Sequence, residues 1–242
     1  LVGSEMCIRD SRSTTSRTAV RRRWLGLAGI AAGPVDRASL HAALIGGAGY
    51  LALACLSLLV ARASDSVTAV WLPNACAVAF LLRVRLANEW PFLCACLAAS
   101  LAANAMPQLP DHVALLLSLG HMVEIVAVLA LTRSAERPAP DMNRLADLGR
   151  FVWAGGLVGP LLAAILTAPV MGVTFEAVRA GATNRFLTDS MAMVLIVPTA
   201  LLVVDRIRGQ LPVGPAHRAE SIALLGGGMA CAFLVFNQAL YP

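Results

Sequence analysis

Apolar residues gather along this chain into seven runs, separated by short loops that carry Arg or Pro. Most of the runs are long enough, at about 1.5 Å per helical residue, to approach or exceed the ~30 Å hydrocarbon core of a bilayer. Their positions predict membrane spans at about 39–61, 66–82, 90–106, 111–132, 151–172, 186–204 and 221–236. A soluble helical protein would need charged helix faces, and these runs have almost none. The expected fold is therefore all-α: a multi-pass transmembrane helical bundle of seven spans occupying 39–242.

Inside the second run Pro73 and Asn74 stand side by side. A proline in a helix interior leaves a carbonyl without its donor, here that of Ala69, and hydrocarbon offers no water in exchange. Small residues suggest where helices approach closely. Ala95, Ala99 and Ala103 recur every fourth residue in span three, Gly155 and Gly159 precede Pro160 in span five, and Gly226 and Ala230 share a face in span seven. Pro73, Gly155, Gly159, Pro160 and Pro198 are the candidate hinges.

The ends read differently. Residues 1–11 resemble a translated sequencing adapter and are set aside as a non-native leader. Residues 12–38 form a basic tail with Arg21, Arg22 and Arg23 ahead of Trp24. The arginines fix an expected orientation. Arg83, Arg85, Arg133, Arg137, Arg144, Arg150, Arg206, Arg208 and Arg218 fall with the tail on one side, and Arg62, Arg179 and Arg185 on the other. The N-terminus is expected in the cytoplasm of a bacterial cell, with the protein in the inner membrane. Seven spans would leave the C-terminus outside, so truncation before an eighth span is expected.

Composition agrees. The chain has 242 residues, is 58% hydrophobic and carries a net charge of +5, with a mean hydropathy of +0.74. All 19 basic residues are Arg, and they lie between apolar runs rather than in a nucleic-acid-binding patch, so no nucleic-acid partner is expected. Of the six cysteines, Cys94 and Cys96 would point about 200° apart on a helix. No metal, disulfide or cofactor is assigned. No nucleophile–base pair, zinc spacing or phosphate loop occurs, so no catalytic residue is named and an enzyme is not expected.

Polar groups within the spans are the candidate chemistry. An ionised carboxylate at mid-membrane costs about 2.5–3.5 kcal/mol, so Glu124 should face the bundle interior. His121, three residues earlier, shares its face. Asp189 begins span six, Asn104 ends span three, and Trp71 lies beside Pro73. Counted from the outer side, Asp189 lies roughly 5 Å deep, Asn74 roughly 12 Å and Glu124 roughly 20 Å. That gradient predicts an outward-facing polar pocket for a small ligand, with Trp71, Pro73, Asn74, Asn104, His121, Glu124 and Asp189 as its candidate residues. For Asn74 and Asn104, plain helix-to-helix adhesion worth about 0.6–2 kcal/mol remains an equal alternative.

Four of these stretches resemble one family, the type-one bacterial membrane-associated sensor domain. Val70-Trp71-Leu72-Pro73-Asn74-Ala75 is similar to its Trp-x-Pro-x-Gly/Ala signature, and Ala102-Ala103-Asn104 to its third-span asparagine. Gly120-His121-Met122-Val123-Glu124 resembles its Gly-Asn-x-x-Glu segment, with His121 in place of Asn. Leu187-Thr188-Asp189-Ser190 with Val197-Pro198 resembles its Gly-Asp stretch, without the tryptophans expected before Asp189. The resemblance implies a sensory input domain of about eight spans. Such a domain would pass a periplasmic or membrane-borne signal to a C-terminal histidine kinase or diguanylate cyclase, through which it could form a homodimer. The competing expectation is a small proton-coupled transporter that uses Glu124 and Asp189.

Overall fold

The protein is described from a computed structural model over residues 30–63, 71–107, 109–133 and 140–208. The chain forms two compact units, Leu1–Leu202 and Val203–Pro242. The second is described only as far as Arg208, where it continues the last helix. The expected seventh span at 221–236 lies outside the described residues, as do the leader at 1–11 and the tail as far as residue 29.

Six helices make up the described residues: α1 (Arg37–Ala63), α2 (Leu72–Arg83), α3 (Trp90–Ala105), α4 (Asp111–Thr132), α5 (Leu145–Val170) and α6 (Phe175–Ile207). Among these residues there is no strand, only an isolated bridge between Ala32 and Asn88. α1, α4, α5 and α6 are long and apolar enough to cross a membrane, whereas α2 and α3 are shorter. At about 18 Å and 24 Å, neither of those two spans the ~30 Å hydrocarbon core alone. Four helices long and apolar enough to cross and two shorter ones are therefore found where six spans were expected. The outward surface is apolar, with Leu44, Ile45, Leu59, Trp153, Ile165 and Leu195 exposed. In water this would be a liability; in lipid it is the contact surface.

α2 corrects the reading of Pro73. The helix starts at Leu72, and Trp71 before it is extended, so Pro73 lies in the first turn. A first-turn N–H has no partner within its own helix, so a proline there costs nothing and breaks no helical bond. The physical ground for a hinge at Pro73 disappears. The repair anticipated there occurs at Pro160 instead. α5 widens into a π-helical turn over Ala154–Val158, where the Gly159 N–H reaches back to the Ala154 carbonyl. Pro160 has no N–H to offer the preceding turn, and the carbonyl of Gly156, four residues earlier, accepts the Ser190 hydroxyl of α6 at 2.7 Å.

Small residues close the helix contacts where the pattern placed them. α1 packs along α3, with Gly47 against Ala95: a Cβ on Gly47 would sit 3.0 Å from that of Ala95. Ala54, Ala103 and Trp71 pack together in a small cluster. Gly159 lies so close to α4 that a Cβ would fall 2.5 Å from Val128. This supports packing, rather than ligand contact, as the work of the span-five glycines. Phe92, Ile125, Leu129, Phe151, Met193 and Leu201 fill the main core between the helices.

One end of the bundle is tied by polar bonds. Residues 30–36, expected as the end of a tail, lie against the α2–α3 loop. Gly33 N–H donates to the Ala87 carbonyl and Glu89 N–H to that of Ala31, both at 2.9 Å. Asp36 accepts the Ser39 N–H at 2.8 Å and so caps the start of α1. Hydrogen bonding from Ser39 holds its carboxyl below the usual carboxylate range. Beneath this, Glu89 is 2% exposed and receives both guanidinium nitrogens of Arg133, at 2.8 Å and 2.7 Å. Its Oε2 also accepts the Ala31 N–H. Arg133 donates as well to the Leu81 carbonyl in the last turn of α2, at 2.6 Å.

Candidate functional site

Asn74 lies in the first turn of α2, beside the middle of α4, and is 1% exposed. Its carbonyl accepts the Tyr50 hydroxyl of α1 at 2.6 Å. Its amide nitrogen donates to Glu124 Oε2 at 2.5 Å and bonds His121 Nδ1 at 2.8 Å. The side chain thus uses its acceptor and both of its donor hydrogens. This fixes which way the amide faces and makes Asn74 the node linking α1, α2 and α4. Of the other candidate residues, Asn74 directly meets Glu124 and His121.

His121 and Glu124 project from one face of α4 because three residues turn the helix by less than one full turn. The ring of His121 stacks on Trp71, with centroids 4.9 Å apart and planes within 6°. Its Nδ1 also meets a guanidinium nitrogen of Arg185 at 3.1 Å. Two nitrogen donors converge on one ring nitrogen, so Nδ1 carries the lone pair and the proton of the neutral ring belongs on Nε2.

α6 supplies the remaining members. Asp189 lies one turn beyond Arg185, with its Oδ2 3.6 Å from Arg185 Nε. The carboxyl groups of Glu124 and Asp189 lie against one another. One ligating atom each from His121, Glu124 and Asp189 falls within 4.8 Å of the others. All three residues are buried, Glu124 completely. Among the described residues, Glu124 Oε1, Asp189 Oδ2, Arg185 Nε and Trp71 Nε1 have no hydrogen-bond partner. The cluster therefore holds two carboxyl groups and one imidazole buried away from water, beside a guanidinium whose side chain is 10% exposed. Its charges do not balance if both carboxyls are ionised.

The expected depth gradient is not what forms. α6 begins at Phe175 rather than near residue 186, so Asp189 lies about 20 Å along it and level with Glu124. Glu124, Asp189, His121 and Asn74 share one depth and are closed off from solvent, in place of an open outward pocket. Asn104 belongs elsewhere: its amide donates to Ser100 at 3.4 Å and to Ser118 at 3.0 Å, joining α3 to α4.

Two members were not anticipated. Arg185 was assigned to an outer loop because it precedes the apolar run, but the helix continues upstream and carries it inward. Its spacing of four from Asp189 was the available signal. Tyr50 lay within an otherwise apolar span, and a lone tyrosine there is legible as a hydroxyl that needs a partner. Gly120 completes the arrangement. A Cβ on it would meet Thr167 at 2.7 Å and Arg185 at 3.2 Å, so a side chain there would collide with Thr167 and crowd the guanidinium.

Among known protein families, the MASE1 model matches residues 40–238, which takes in Tyr50, Asn74, His121, Glu124, Arg185 and Asp189 alike. No curated protein and no solved structure matches the chain.

Proposed function

The chain belongs to the MASE1 family of membrane sensory domains, and from that premise we propose that its buried cluster is where the signal is read. In this reading the domain lies in a bacterial inner membrane with its N-terminus in the cytoplasm. It takes a periplasmic or membrane-borne signal and passes it to a cytoplasmic output module on its C-terminal side, a histidine kinase or a diguanylate cyclase. Dimerisation would come through that module. The domain is a sensory input rather than a catalytic unit.

The observation that carries the reading is the meeting of two buried carboxyl groups from different helices, Glu124 on α4 and Asp189 on α6, beside a single guanidinium that pairs with Asp189. A signal can shift a bundle between two packings only if it interacts differently with each. A site whose charge is unbalanced whenever both carboxyls are ionised meets that condition, because whatever neutralises it changes the force holding α4 to α6. The π-helical turn at Ala154–Val158 and Pro198 within α6 are the places where such a change could be taken up.

The test grafts the domain onto a complete kinase or cyclase of the same architecture. Glu124→Gln and Asp189→Asn should each abolish the response to stimulus while the protein remains folded and inserted. A response unchanged in both variants would sink the assignment.

A further inference from the structure

We propose that His121, Glu124 and Asp189 form a binding site for a divalent transition-metal cation of the zinc class, with Arg185 as the positive charge that holds the site in its absence. The inference rests on the reading of this cluster as the sensory site and names the class of ligand that it takes.

Charge comes first. Two buried carboxyl groups beside one mostly buried guanidinium leave one negative charge over if both carboxyls are ionised. A buried uncompensated charge is costly, so one more positive charge is called for. Geometry narrows what can supply it. The three ligating atoms lie within 4.8 Å of one another. That space suits a single ion rather than an organic cation, and it needs a contraction of only about 1–1.5 Å to reach the ~3.4 Å ligand separations of a tetrahedral site with bonds near 2.1 Å.

The donor set narrows it further. Calcium requires six to eight oxygens and magnesium a near-octahedral, largely hydrated shell. One imidazole nitrogen with two carboxylate oxygens suits zinc and its first-row neighbours. His121 and Glu124 stand at i and i+3 on one helix face, and Asp189 reaches in from a second helix.

The surroundings resemble a prepared site rather than a chance meeting of acids. Glu124 Oε2 is already held by Asn74, which is held in turn by Tyr50. The other oxygen, Oε1, is fully buried without a hydrogen-bond partner among the described residues. Support of this kind behind a ligating carboxylate is what orients it toward a metal. Stacking on Trp71 fixes the imidazole plane. Arg185 touches two of the three ligands, His121 Nδ1 at 3.1 Å and Asp189 Oδ2 at 3.6 Å. A metal that takes the Nδ1 lone pair must displace it, together with the Asn74 hydrogen that shares that nitrogen at 2.8 Å, and leaves Asn74 its bond to Glu124. Because Arg185 and Asp189 are neighbours on α6, that exchange would turn or slide α6 against α4.

Zinc titration of the full chain in lipid nanodiscs, with any affinity tag removed, tests the proposal together with X-ray absorption at the zinc edge. Expected are one zinc per chain and a first shell of nitrogen and oxygen only. Glu124→Gln and Asp189→Asn should each weaken binding at least tenfold, and Asn104→Ala should leave it unchanged. Arg185→Gln should tighten it about tenfold. A sulfur shell would assign the metal to the cysteines and overturn the site, as would the absence of saturable binding. Weaker binding in Arg185→Gln would overturn the exchange.

If no zinc binds and the infrared spectrum shows a protonated carboxyl that is lost in Glu124→Gln, a proton takes the place of the metal and the zinc site is overturned. The sensory reading then survives wherever the same variants still silence a grafted receptor. If zinc binds as described but those variants respond normally, the metal site stands and the sensory reading fails.

Discussion

Two buried ionic clusters, one at the tied end of the bundle and one at its middle, are built from the same residue types and finished differently. At the tied end, Glu89 and Arg133 meet in a bidentate pair at 2.7 Å and 2.8 Å. The leftover valences go to the Ala31 N–H and the Leu81 carbonyl. At the middle, Arg185 stands 3.6 Å from Asp189, and Glu124 keeps one oxygen without a hydrogen bond among the described residues. A balanced and fully hydrogen-bonded cluster has one arrangement to fall into, so it acts as a fastener. An unbalanced one leaves more than one arrangement within reach, which a sensor requires and a fastener must avoid.

The contrast breaks most sharply at Arg133. Arg133→Ala strands Glu89 among apolar neighbours and strips the last turn of α2 of its side-chain donor. Removing one partner of a buried pair costs about 3–5 kcal/mol. The expected outcome is a large fall in the thermal midpoint of the detergent-solubilised protein, or failure to recover it folded. Near-wild-type stability would show that water enters this end and that the pair is no fastener.

The next effect is at the repaired turn of α5. Ser190→Ala removes the donor to the half-buried Gly156 carbonyl and should cost about 1–3 kcal/mol, the usual penalty for leaving a polar group unpaired away from water. In a Pro160→Ala background, where a backbone N–H becomes available, the same substitution should cost measurably less. Equal costs in both backgrounds would break the link between Pro160 and Ser190.

These two regions are not equally legible in the sequence. The helices, the small-residue contacts and the grouping of Asn74, His121, Glu124 and Asp189 all follow from apolar runs interrupted by polar residues. Hydropathy reports where a helix enters lipid, not where it begins. α6 starts eleven residues before its apolar run, and that offset displaces both Asp189 and Arg185 from their expected depths. Pro73 reads as a helix breaker for the same reason, since first-turn and mid-helix prolines look identical until the helix start is known. The pairing of Glu89 with Arg133 is a tertiary contact across 44 positions, and no local period encodes it. Arg133 looks like a marker of topology because most arginines at span ends are nothing more.

A smaller effect separates adhesion from sensing. Asn104 bonds Ser100 and Ser118 without a charged group in its set. Asn104→Ala should therefore cost only about 0.6–2 kcal/mol, the range of interhelical polar bonds in membranes. A grafted receptor carrying it should still respond to stimulus. Loss of the response with stability intact would place Asn104 in the sensory site after all.

The smallest expected change in stability is the most informative. Glu124→Gln keeps the volume and the acceptor that meets Asn74, and it removes the carboxyl that lies against Asp189 beside a single guanidinium. Replacing ions in a buried cluster by neutral groups of similar shape is commonly neutral or stabilising, so the unfolding free energy should fall by no more than about 1 kcal/mol. Set beside Arg133→Ala in the same thermal assay, it measures the difference between the clusters directly. Comparable losses in the two variants would mean that the middle cluster is as balanced as the tied end, held by a charge bound within it. A protein more stable than wild type would show that Glu124 is kept in the bundle at a cost to folding, which is the expected mark of a residue retained for what it binds.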